Sequence, residues 1–178
     1  EWMLGDTTGA QFGVGRDGMT PVYVEFSVGT DGQPTADASI NGWVWEDYCR
    51  LLNAEGGEPM PSGGCIEDGL GGYRADGTPN NGERGIAGVH VTLSAGECGD
   101  GYSNGISAVT DEQGEFTFGG LQAGSYCVSL NALQEENVPI LLPGITTHPY
   151  AEFAVVTVRL EDGEQKSGVD FGWDYQLQ

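Results

Sequence analysis

Positive charge is what this 178-residue chain has least of: six Lys and Arg stand against 27 Asp and Glu, a formal charge of −21. A field of that sign repels phosphate backbones and anionic headgroups, which argues against nucleic-acid binding and basic-patch docking on membranes, and it attracts cations. Long apolar runs are missing too, and no stretch approaches the ~18–20 residues that span a bilayer. There is no C-x-x-C, and His90 and His148 lie far from any paired thiols, so the spacing does not fit zinc. G-x-S-x-G and H-E-x-x-H are absent. Adjacent acids such as Glu46–Asp47 and Glu135–Glu136 are expected by chance among 27, so no enzyme is expected. No dozen residues carry an i, i+3, i+4, i+7 apolar stripe, which argues against a helical bundle.

Glycine is abundant. The chain has 31, well over twice the usual ~7%, and each costs about 1 kcal/mol inside a helix. Short strands joined by tight turns accommodate them better. Val22, Val24, Phe26 and Val28 alternate with Tyr23, Glu25 and Ser27, a period-2 strand closed by Gly29–Pro34. A second run spans Ser39–Trp45, with Ile40, Gly42 and Val44 on one face and Trp43 and Trp45 on the other. Residues 46–85 read as an acidic, Gly/Pro-rich loop. Val89, Val91 and Leu93 alternate inward past an outward His90. Ile106–Thr110 and Glu115–Phe118 flank Asp111-Glu112-Gln113-Gly114 and read as a hairpin. Further strands are expected at Gly124–Leu130, Glu152–Val158 and Val169–Trp173. The expected fold is all-β: an antiparallel Greek-key β-sandwich with long acidic loops (37–178), preceded by an N-terminal extension (1–36) that carries its own strand.

The chain begins Glu1-Trp2-Met3 and ends Asp174–Gln178, without a basic n-region or a sorting signal. It reads as a secreted chain whose signal peptide has been removed. Four cysteines fit an oxidising exterior. They allow three pairings. The local pairs Cys49–Cys65 and Cys98–Cys127 are preferred, because each closes a Gly-rich loop with little core of its own.

The stretches Ile40-Asn41-Gly42-Trp43-Val44-Trp45-Glu46-Asp47, Gly82–Leu93, Thr110–Val128 and Gly168-Val169-Asp170-Phe171-Gly172 together resemble the SdrD B-like domain of bacterial surface proteins. That family is a relative of the Cna-B repeats, with a prealbumin-like sandwich. The resemblance spans about residues 38–173, and residues 1–36 have no counterpart in it. It implies a structural or adhesive role on the bacterial cell surface, not catalysis. The family usually follows its W-x-D strand with a short calcium loop. Here an insert carrying Cys49 and Cys65 separates Asp47 from Asp76–Glu83. Asp47, Asp76, Asn80 and Glu83 are the expected Ca²⁺ ligands, since the ion takes six to eight oxygens. Asp111 is a further candidate that serves equally as a turn former. Some relatives of this fold form a Lys–Asn isopeptide early in the chain. The single lysine, Lys166, stands late, in a polar turn, so no such crosslink is expected.

Trp43, Trp45, Trp173 and Tyr175 offer a sugar platform, although strand aromatics more often pack inside. The strand carrying Val22, Val24, Phe26 and Val28 lies outside the family domain and needs a sheet edge. It either folds back on its own sheet or pairs with the next subunit by strand addition. Head-to-tail pairing does not close and builds a filament. The expected function is therefore a subunit of an extracellular bacterial filament, self-associating and hardened by disulfides and Ca²⁺. The alternative is a monomeric adhesive or carbohydrate-binding module with a glycan or host-surface ligand.

Overall fold

The computed structural model describes residues 4–5, 11–12, 36–52, 60–61, 63–80, 82–99, 101–102 and 104–175. Two compact units divide the chain, Glu1–Gln33 and Pro34–Gln178. In the first, β1 (Leu4–Gly5) pairs antiparallel with β2 (Gln11–Phe12). The expected assembly strand at Val22–Val28 lies outside the described residues.

The second unit runs through β3 (Ala38–Glu46), β4 (Leu51–Leu52), β5 (Met60–Pro61), β6 (Cys65–Glu67), β7 (Tyr73–Ala75), β8 (Arg84–Gly85), β9 (His90–Ala95) and β10 (Ile106–Val109). It continues through β11 (Glu115–Leu121), β12 (Gly124–Ser129), the single turn α1 (Val138–Leu141), β13 (Gly144–His148), β14 (Val155–Leu160), β15 (Gln165–Lys166) and β16 (Phe171–Tyr175). One sheet has the order β10-β9-β12-β14. The other has the order β11-β3-β16-β13, with β8 and β15 also paired to β3. The two sheets form a β-sandwich. Alternation explains its core: Val89, Val91 and Leu93 are 0–3% exposed. They share one cluster with Ile40, Val44, Phe116, Phe118, Val128 and Phe171. Each such side chain contributes about 1.5–3 kcal/mol on burial.

Several expectations need correcting. The turn at Asp111–Gly114 forms, with Gly114 N–H donating to Asp111 O at 3.0 Å and Gly114 at φ 80°. Its flanks are not a hairpin, because β10 pairs with β9 and β11 pairs with β3, in different sheets. The sandwich is not wholly antiparallel, since β15 and β16 both run parallel to β3. The span 46–85 contains the antiparallel pairs β4–β5 and β6–β7 as well as β8. Strand β13 and α1 fall where no element was expected. The strand expected from Glu152 starts at Val155.

Candidate functional site

Strand β3 ends where its sheet meets the acidic insert. Asp47 follows its last residue, and the Asp47 amide donates to Trp173 O of β16 at 2.9 Å. That contact draws the Asp47 side chain inward, where it is 0% exposed. Its Oδ2 accepts the Gly77 amide at 2.8 Å. Its Oδ1 has no hydrogen-bond partner. The insert is held against this point by the Cys49–Cys65 disulfide and by Asp76 N–H donating to Gly64 O at 3.0 Å.

Glu83 closes the same loop. Its Oε2 accepts the Asn80 amide at 2.7 Å and its Oε1 the Tyr48 amide at 3.3 Å. Burial pushes its carboxyl above the usual range against the pull of the Asn80 and Tyr48 amides, and the Asp47 carboxyl adds to the rise through its charge and through a hydrogen bond that a protonated Glu83 makes to it. Asp76 spends its Oδ1 on the Thr78 amide at 2.8 Å and receives the Asn80 Nδ2 at 3.2 Å. The structure thus brings Asp47 and Glu83 into electrostatic contact, and links Asp76 to Asn80 and Asn80 to Glu83. Among the described residues no three His, Cys, Asp or Glu side chains converge as a ready-made metal centre. The chemistry of the loop still suits a hard cation. A buried acceptor stands without a donor and a second carboxylate lies beside it.

Asp111 has a different role. Its Oδ1 accepts the Gln113 and Glu115 amides, each at 2.9 Å, so the carboxylate builds the turn. Cys98–Cys127 is the second disulfide, and it joins the loop after β9 to β12. The four rings do not form one open platform, and two of them pack inside, the more usual fate of strand aromatics. Trp45 and Trp173 are 1% and 5% exposed, and Trp173 Nε1 donates to Leu141 O at 2.7 Å. Trp43 and Tyr175 are half-buried. Lys166 lies on β15 and pairs with the Glu164 carboxylate at 3.6 Å.

Two contributors escaped the sequence reading. Thr147 and His148 of β13 pack over the end of the site. Thr147 is 5% exposed with an unpartnered Oγ1, and the His148 ring lies 5.7 Å from that of Trp45. The available signal was the β-branched run Ile145-Thr146-Thr147 between Pro143 and Pro149.

The described residues thus form a disulfide-braced β-sandwich with an acidic loop at the end of β3. The SdrD B-like domain model matches residues 72–173, more than half of the chain, and the chain belongs to that family. The family is a non-catalytic one typical of bacterial surface proteins. Strand β3, with Trp45, and Asp47 just after it precede the matched span. Among solved structures, a DUF3823 family protein from Parabacteroides merdae is similar at 13% identity, with a TM-score of 0.36. The likeness covers 77% of this chain and 45% of that protein, so this chain spans less than half its length. No curated protein matches the chain. No helix among the described residues is long and apolar enough to cross a membrane.

Proposed function

We propose that the chain is an extracellular, non-catalytic structural module of the bacterial surface, stiffened at its loop end by one Ca²⁺ and along its length by two disulfides. Asp47 carries the reading. A fully buried carboxylate with an unpartnered oxygen is costly unless a cation meets it. Asp47 and Glu83 would hold the ion, with Asn80, Asp76 and loop carbonyls completing the oxygen set. The bound ion would fasten the insert to the end of β3. Titration calorimetry of the chelator-stripped protein with CaCl₂ tests this, and no heat of binding up to millimolar calcium would overturn it.

The module assembles with copies of itself through the strand Val22–Val28. A free edge supports that reading. Strand β10 has no second neighbour among the described residues and exposes Ile106 and Val109 by 60% and 52%, and an apolar edge of that kind invites strand addition. Val24→Glu with Phe26→Glu should leave the sandwich folded and abolish filaments in negative-stain microscopy. Filaments of normal length from the double variant would remove strand donation from the account.

A further inference from the structure

We propose that the outer face of β3 around Trp43 is a binding site for a neutral pyranose unit of a glycan. The proposal rests on neither the calcium reading nor the filament reading.

The inner face of β3 is spent on the core, through Ile40 and Val44. Its outer face carries Asn41, Trp43 and Trp45. Trp43 stacks on Trp45 with ring centroids 5.3 Å apart and planes 15° apart. Its Nε1 donates to Gln113 O at 2.7 Å. One face of the indole is therefore covered, its polar atom is satisfied and the ring is fixed. Trp43 lines a shallow groove of about 360 Å³ together with Asn41, Thr117, Glu115, Ser167 and Asp170.

The register assembles this rim. Glu115 lies directly across from Trp43, and Thr117 across from Asn41. Thr117 Oγ1 donates to Asn41 Oδ1 at 2.8 Å, which orients the amide. Asp170 Oδ1 accepts the Trp43 amide at 2.9 Å, and its second oxygen takes no hydrogen bond from a described residue. Between the short β15 ladder and the β16 ladder, residues 167–170 run beside β3 without a regular ladder, held by the Val169 amide donating to Asn41 O at 3.3 Å and by Asp170.

A fixed flat aromatic face takes up C–H surface. An amide, two hydroxyls and two carboxylates around it supply both donors and acceptors. Few ligands need both at once, and a pyranose does, with axial hydrogens on one face and hydroxyls around its edge. A cation alone would need only acceptors, and an apolar peptide would waste the polar rim. Glu115, Asp170 and the charge of −21 repel uronates and sialylated or sulfated sugars, so the ligand is neutral.

The test is an array of neutral and anionic oligosaccharides probed with the whole chain, followed by calorimetry on the glycans retained, in Ca²⁺ and in EGTA. Neutral pyranose oligomers should be retained and anionic ones not. Trp43→Ala should weaken binding about tenfold or more through loss of the stacking face. Trp43 also supports Trp45, so Thr117→Arg serves as the second variant. It fills the groove from an exposed position, leaves both rings in place and should weaken binding to a similar degree. Retention of no neutral glycan, retention of anionic glycans alone, or full binding by folded Thr117→Arg would each overturn the proposal. Chelation should leave glycan binding intact, which separates this site from the calcium loop.

Discussion

Replacing Asp47 with Asn keeps the shape of the side chain and removes its charge, and the sign of the effect should depend on calcium. Without calcium the native chain holds a fully buried carboxylate whose Oδ1 has no partner. Leaving a buried polar group unsatisfied costs about 1–3 kcal/mol, and more for a charge. Asn can accept the Gly77 amide through its oxygen and turn its N–H₂ toward Glu83. Asp47→Asn should therefore exceed the native stability in EGTA by about 1 kcal/mol or more. Calcium should reverse the order. Extracellular calcium modules have Kd values of about 10⁻⁴–10⁻³ M. With free ion at about 100 times Kd, the native chain gains about 2.7 kcal/mol. In a chain of this size that raises Tm by about 5–10 °C. The assay is scanning calorimetry of both proteins at about 10 mM CaCl₂, which reaches that ratio for the tighter Kd, and again in EGTA. Two results would refute the reasoning: a native Tm indifferent to calcium, or an Asp47→Asn response to calcium equal to the native one. An Asp47→Asn chain weaker than native in EGTA would show that the carboxylate is needed as a plain structural acceptor.

Gly114→Ala should cost about 2–5 kcal/mol by urea denaturation, because the residue has φ 80° and a Cβ there meets the Val44, Gly85 and Ile86 backbone. Gly163→Ala, at φ 68° with open space around it, should cost only the conformational part, about 1–2 kcal/mol. Cys98→Ser with Cys127→Ala opens a loop of sequence separation 29 and should lower stability by about 3–4 kcal/mol, read as a lower denaturation midpoint. Burial raises the Asp170 carboxyl above its usual range, against the pull of the Trp43 amide and His148. A raised carboxyl binds its proton more tightly in the folded chain, so this group stabilises at low pH and that contribution is lost as pH rises through the folded value. Asp170→Asn should then be at least as stable as native near pH 7, and its advantage should shrink as pH falls through the carboxylate range. Asp68, Glu136 and Glu164 are shifted downward, but they are common to both proteins and cancel in the difference.

Alternation was enough to place the inward face of β9 and to separate the two faces of β3, because side chains along a strand alternate with period 2. It could not say which sheet a strand joins. Residues 106–118 read as a hairpin because their turn chemistry is local and correct: Asp111 caps the turn and Gly114 supplies the positive φ. The choice of β9 for β10 and β3 for β11 depends on contacts far away in sequence. The parallel seat of β16 on β3 is non-local in the same way. The candidate loop shows the same division. The family motif pointed to Asp47 and Glu83, which do meet. Nothing in the composition told Asp111 apart from them, because an Asp whose oxygen is taken by two amides of its own turn looks the same in sequence. The insert read as structureless because β4 to β8 are each two or three residues long, too short to show a period.

Strand β3 gives the two candidate sites one structural logic. Its inner face is core. Along its outer face the residues pass from Asn41 and Trp43, which border an open groove, to Trp45, which lies under His148, and then to Asp47, which lies under Gly77 and the insert. The gradient in burial follows from what is laid over the sheet. Ser167, Gly168 and Asp170 line the groove beside Trp43 without covering it, whereas β13 and the disulfide-tied insert close over the far end. An aromatic left in the open end is available to a ligand, and a carboxylate shut into the closed end requires a counter-charge. Shortening the insert would therefore uncover Trp45 and Asp47, removing the need for a cation while leaving Trp43 and its rim unchanged. Calcium binding and glycan binding, if the two candidate sites have them, should on that account be separable by mutation although both sites border one strand.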